Sequence, residues 1–237
     1  MPPRAAARGL APACSPAGSA GALPSPAMSV QEIAPRLWWW SAPHPEWKPS
    51  YAKKGGWEET VSSYAVVADD AFVVFDPLVP DDETERFWEA LDRDVEHHGP
   101  PAILITLYWH VRNAQQIADR YEGTTVWAHE PAAKQIGKRV RYTHTFTEGD
   151  DLPGGAEAIP LHNRNEVAFW LPSHKATVIG DTILGGDGRA RLCPASWLGK
   201  NDSMDEVRAA VHRILKFPEN RLLLTHGGPT DPSALEV

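Results

Sequence analysis

HNRNEVAFWLPSHKATVIGDTIL, residues 162–184, decides how the rest of the chain is read. Glu166–Leu171 and Lys175–Gly180 are two short runs of strand-forming residues, and Pro172-Ser173-His174 punctuates them as a turn. The second run stops at a carboxylate, Asp181. Downstream, Ser203 and Glu206 stand at capping-box spacing ahead of an apolar stripe of Val207, Ala210, Val211, Ile214 and Leu215. After that helix, RLLLTHGGP (221–229) gives a strand, Arg221–Thr225, that stops at His226 in a Gly-rich turn. Two strands therefore end in a potential metal ligand, with one helix between them.

Working outward, Ala156–Leu161 is a third strand candidate and leads directly to His162. Val61–Val67 and Ala71–Phe75 form a hairpin about Asp69-Asp70. A helix follows from about Asp82, with Phe87, Trp88, Leu91 and Val95 on one face and an acidic start that suits the helix dipole. Ala102–Thr106 (AILIT) reads as a buried strand, followed by His110 at the start of a helix carrying Val111, Ala114, Ile117, Ala118 and Tyr121. Thr124–Ala128 is a strand and a short helix begins at Pro131. Strands in hairpins, then alternating with helices, then in hairpins again predict an α/β fold of sheets covered by helices.

The chain has 237 residues, room for one or two domains, with 42% apolar and 23% charged residues. Residues 1–27 are Pro, Ala, Gly and Ser with almost nothing large and apolar, so a disordered tail is expected there, with the start codon assigned too early and Met28 opening the globular part, 28–237. That tail lacks the continuous apolar region of a secretory signal. A net charge of −8 with no long Lys/Arg run disfavours nucleic acid as a partner. No apolar stretch approaches the roughly 20 residues of a membrane span. Two cysteines, Cys14 and Cys193, do not make a disulfide framework and fit a reducing cytosol, so a soluble cytoplasmic protein is expected. Ten tryptophans, three of them at Trp38–Trp40, are read chiefly as packing residues and secondarily as pocket walls.

Four residues could carry chemistry: His110, His162, Asp181 and His226, each just past a strand. One histidine after a strand is ordinarily a turn or packing residue. Imidazoles and a carboxylate at separate strand ends can converge on one divalent cation. His97 and His98 close a helix, and His129, His144, His174 and His212 are read as surface or packing residues; His44 carries no assigned role. Gly185-Gly186-Asp187-Gly188 matches no complete phosphate loop and reads as a flexible connection flanking the site.

These segments, from about Ile33 to Pro232, resemble the metallo-β-lactamase superfamily, the αββα sandwich shared with glyoxalase II and many hydrolases. VVFDPLV (73–79), VWAHEPA (126–132), the quoted 162–184 stretch and LLLTHGGP (222–229) carry the resemblance in family order. The departure is at TLYWHVRNA (106–114), where relatives read T-H-x-H-x-D-H. Leu107 takes the first histidine's place. Aligned two residues short, His110 takes the last histidine's place and Trp109 replaces the aspartate; aligned without a gap, His110 falls between ligand positions. The first alignment is preferred, because HVRNA then enters its helix as the family's last histidine does.

The resemblance implies one metal held by the two missing histidines and His162. It implies a second held by the missing aspartate, His110 and His226, with Asp181 bridging. The losses leave His162 and Asp181 for the first ion, too few for zinc, and His110, Asp181 and His226 for the second. One divalent ion is therefore implied: zinc, or alternatively iron or manganese. Asp181 would both ligate and orient a metal-bound water, with Tyr108 or Arg112 as polar substitutes if either leaves its expected helix-surface or packing role. Two functions stand side by side. One is a single-metal hydrolase of a small ester, thioester, lactone or amide. The other is a catalytically inactive relative, without metal, that binds a small molecule or a protein.

Overall fold

Phe72, Val73, Val74 and Phe75 point alternately to two different cores, and this alternation builds the layers. The computed structural model describes residues 30–53, 56–161, 165–186, 188–200 and 202–236; the expected tail, 1–27, lies outside them. The first sheet contains β1 (Gln31–Ala34), β2 (Leu37–Pro43), β3 (Thr60–Val67), β4 (Phe72–Phe75), β5 (Ala102–Leu104), β6 (Thr125–His129) and β7 (His144–Phe146), lying in that order. β1 to β4 are antiparallel, and β4 to β7 are parallel. The parallel part arises because α1 (Thr84–His98), α2 (Ala114–Arg120) and α3 (Glu130–Ile136) serve as crossovers.

The chain continues through β8 (Glu157–Pro160), β9 (Val167–Leu171), β10 (Ala176–Ile179), β11 (Ile183–Gly186), β12 (Arg189–Leu192), α4 (Met204–Leu215), β13 (Arg221–Leu224), β14 (Gly228–Thr230) and β15 (Leu235–Glu236). The second sheet runs β14-β13-β10-β9-β8, and β11, β12 and β15 form a small third sheet. Val73, Phe75, Leu104, Phe169, Val178 and Leu223 fill the core between the two large sheets. Phe87, Leu91, Ile117 and Ile136 cover the outer face of the first sheet. Val211 and Ile214 of α4 pack on Ile179, Leu222 and Leu224 of the second. The layer order is helix, sheet, sheet, helix.

Several sequence expectations hold with shifted ends. The capping box at Ser203 and Glu206 is formed, and α1 starts at Thr84 instead of Asp82. β5 stops at Leu104, two residues early, because the Thr106 N–H is taken by the Asp76 carboxylate at 2.9 Å. Val111 is not in the α-helix. Tyr108–Val111 forms a 3₁₀ turn, and Arg112 at φ 43° breaks the path before α2 begins at Ala114. Gly185-Gly186 is not a loose connection but the end of β11 at a hairpin tip. A Cβ on Gly227 (φ +122°) would sit 2.5 Å from Gly185 Cα, so the Gly-rich turn after His226 packs backbone against backbone there. No helix among the described residues is long and apolar enough to cross a membrane.

Candidate metal centre

β10 and β13 run parallel with Ile179 opposite Leu224, so Asp181 and His226, each two residues further on, leave the sheet side by side. Asp181 Oδ1 lies 3.0 Å from His226 Nε2. In the facing sheet, β4 and β5 also end level, Phe75 opposite Leu104, which puts Asp76 and Thr106 at the same end of the sandwich. The two sheets are tied there by the Tyr64 hydroxyl donating to Leu224 O at 2.7 Å, Ser62 N donating to Thr225 O at 2.8 Å and Val167 N donating to Thr106 O at 2.9 Å. The 3₁₀ turn after β5 then swings His110 across the gap. Its Nε2 reaches the same Asp181 Oδ1 at 3.1 Å.

Asp76 sets the orientation of His110. The fully buried carboxylate accepts from Thr106 N, from Thr106 Oγ1 at 2.5 Å and from His110 Nδ1 at 3.0 Å. Its backbone sits at φ 46°, a left-handed conformation that aspartate tolerates better than most residues. A carboxylate only accepts, so the Nδ1 proton of His110 is fixed and its Nε2 lone pair faces Asp181. Two acceptors at 3.1 Å need a cation between them, either a proton or a metal. Burial alone would lower His110, but Asp181 and Asp76 outweigh it and hold the imidazole at about 9 when no ion is bound. Burial would likewise raise Asp181, yet His110 and His226 keep it far below the usual carboxylate range. His226 is lowered by burial despite Asp181. Behind them Glu166, pushed up to about 8 by burial and then by the Asp181 charge, accepts from Thr182 N at 3.0 Å.

The donor atoms fit one ion. His110, Asp181 and His226 each offer one ligand atom, and these atoms all lie within 4.8 Å of one another. Donors about 2.0–2.1 Å from a tetrahedral zinc are roughly 3.3 Å apart, and the two histidine–Asp181 separations of 3.1 and 3.0 Å come close to that. His226 Nδ1 is buried without a partner, so this imidazole lacks the support that Asp76 gives His110. His162, the fourth expected ligand, lies outside the described residues.

The triad opens onto a cleft of about 500 Å³, lined by His44, Tyr51, Trp57, Trp109, Arg112, Arg139 and Trp197 among others. Arg112 is not a helix-surface residue. Its Nη1 donates to Ser62 O at 2.7 Å and to Asp76 O at 2.9 Å, tying the loop beneath the triad. Tyr108 instead packs against the helix-covered core. Leu107 is buried and bridges Glu166, while Trp109 is 53% exposed at the cleft. His44, without a role in the sequence reading, joins the cleft and is lowered to about 4 by burial and then by Arg112. Asp76 is legible in the sequence as the end of the FVVF strand but not as the partner of His110; for Arg112 and His44 no local signal exists.

No family model matches the chain, and neither does any curated protein. Solved structures do. A DIM-1 metallo-β-lactamase exposed to ceftazidime superposes with a TM-score of 0.63 at 14% identity, covering 88% of this chain and 93% of that one. The metallo-β-lactamase of Pontibacter korlensis gives a TM-score of 0.63 at 15% identity, covering 87% of this chain and 94% of the other. The Flv1 flavodiiron core of Synechocystis sp. PCC6803 gives 0.63 at 14% identity, covering 87% of this chain and 58% of that one. With its layer order of helix, sheet, sheet, helix, the chain has the metallo-β-lactamase fold.

Proposed function

We propose that this protein is a hydrolase of a small ester, thioester, lactone or amide that works with one divalent ion held by His110, Asp181 and His226. The observation that carries this reading is the convergence of three ligand atoms within 4.8 Å at the floor of an open cleft. Two imidazoles and a carboxylate suit zinc, iron or manganese, with zinc favoured by the near-tetrahedral spacing. When bound, the ion would acidify a water toward neutrality and polarise the scissile carbonyl. Asp181 is the proposed catalytic carboxylate: its Oδ1 holds the two histidines, and its second oxygen is left to orient the nucleophile. Asp76 keeps His110 in the ligating tautomer, and Trp109 shields the cleft from water. The partner in this reading is a small molecule in the cytoplasm, with neither nucleic acid nor membrane engaged.

One observation favours a second reading. Leu107 and Trp109 cannot ligate, and apolar groups there suit a binding module that performs no chemistry. Asp181→Ala and His226→Ala separate the two. The hydrolase reading expects both variants to fold, to lose bound metal and to lose turnover of ester and thioester substrates together. If either variant keeps its metal and its ligand binding, the triad is not the centre and the hydrolase reading fails.

A further inference from the structure

Single-ion chemistry leaves three features of the cleft unused. Tyr51, Trp109 and Trp197 are among only five large apolar residues exposed among the described residues, the others being Val30 and Tyr142, and all three line this cleft. Exposed aromatics scattered singly mean little, but three at one mouth make a binding surface. Trp57 continues that surface inward, with its ring 4.9 Å from the His226 ring and stacked on Tyr51 at 5.8 Å.

The second feature is charge. Most arginines elsewhere are paired with carboxylates, as Arg36, Arg86, Arg120, Arg141, Arg189, Arg208 and Arg213 are. Arg139 has no carboxylate partner among the described residues and lies over the Trp109 ring, 4.5 Å from its centroid. Arg112 is the third feature. Its Nη1 is fixed on Ser62 O and Asp76 O, whereas Nε and Nη2 are buried with no hydrogen-bond partner. Nε and Nη2 together form the fork that matches an oxyanion. The acids lining the cleft are Glu46 and Asp181, and Asp181 is committed to His110 and His226. In a chain of net charge −8, unpaired cations gathered at one cleft draw in anions.

We propose that the cleft recognises a small amphipathic anion, a flat apolar body with a carboxylate, and that Arg112 and Arg139 determine this specificity. The flat body lies against Trp57, Trp109 and Trp197. Arg139 makes the exposed contact with the carboxylate. Arg112 lines the cleft with its free donors buried, and its charge selects the anion. This names the substrate class of the hydrolase proposed above and rests on that reading for turnover, though not for binding.

The test is calorimetric titration of the full chain, stripped of metal with chelator, with 2-naphthoate and with the neutral 2-naphthamide. We expect the carboxylate to bind at least tenfold more tightly than the amide without any metal. Arg139→Gln lowers that ratio severalfold, Arg112→Met reduces it to below threefold, and Trp109→Ala weakens both ligands alike. Arg112→Met removes two backbone tethers and can fail to fold; the wild-type ratio and the surface variant Arg139→Gln then decide the matter. Equal binding of the two ligands, no binding of either, or a preference that emerges only after metal loading overturns the proposal, the last because the ion and not arginine would hold the anion. A metal-free chain that cannot be loaded yet prefers naphthoate refutes the hydrolase reading and leaves this one standing.

Discussion

Asp76→Asn changes one buried oxygen into an amide nitrogen and should weaken metal binding without touching a ligand. The asparagine can still accept from Thr106 N and can donate to Thr106 Oγ1. Its amide nitrogen then faces the Nδ1–H of His110, two donors about 3.0 Å apart where a charge-assisted hydrogen bond stood. His110 escapes the clash by moving its proton to Nε2, the atom aimed at Asp181. A metal at Nε2 then forces the remaining proton back to Nδ1, against the amide nitrogen, a cost absent when Asp76 accepts that proton. Loss of an outer-shell partner of this kind costs roughly 10–100-fold in metal affinity, or about 1.4–2.8 kcal/mol. Competition against a chromophoric zinc chelator measures the affinity, and thermal melts of metal-free wild type and variant check that both fold. The metal-free variant should also be less stable by about 1.5–3 kcal/mol, the worth of one buried hydrogen bond to a charged group. A variant that binds zinc within twofold of wild type would refute the reasoning that Asp76 sets the tautomer.

Gly227→Ala puts a Cβ 2.5 Å from Gly185 Cα at a φ of +122°, and should destabilise by about 3 kcal/mol or more through strain and overpacking. Gly186→Ala, where a Cβ meets nothing within 4 Å, should stay within about 0.5 kcal/mol in the same denaturant titration. In metal-free protein, His110 is raised from 6.5 to about 9, so the folded state holds its proton longer than the unfolded chain. The stability it contributes is full below pH 6.5 and is lost as pH rises toward 9. Melting temperature should therefore fall across that window in metal-free wild type and fall less in metal-free His110→Gln, where Glu166, raised to about 8, still contributes, and metal loading should remove the His110 share of the fall. Cys193 is buried and its thiol is pushed up to about 12, by burial and then by Glu166 and Asp181. In a Cys14→Ser background it should be inert to a thiol reagent at pH 8 until the protein is unfolded, and rapid labelling of the folded protein would contradict this burial.

Asp181 and His226 were legible because each ends a short run of strand-forming residues bounded by Gly or turn residues, and the polar successor of such a buried strand emerges at a sheet end. The helix between them was legible from its capping box, a signal contained within four residues. Asp76 was visible as a strand terminus, but its role depends on Thr106 and His110, thirty or more residues away, whose approach only the sheet register creates. Arg112 was placed on a helix face because periodicity assumes helical backbone, and nothing in the local sequence announces φ 43°. The tryptophans divide for a similar reason. Trp40 is buried and Trp109 is 53% exposed, although composition gives both the same packing preference. Leu107 was recognised as a departure from the ligand pattern, but its bridge to Glu166 is tertiary and has no sequence signature.

The central claim is that His110, Asp181 and His226 hold a single ion. It is tested most directly by elemental analysis of untagged protein purified without chelator, alongside Asp181→Ala prepared in the same way. The expected result is close to one zinc, iron or manganese per wild-type chain and almost none in the variant. Metal near zero in wild type, persisting after incubation with excess zinc, iron and manganese, would contradict it and leave a binding module on a hydrolase fold.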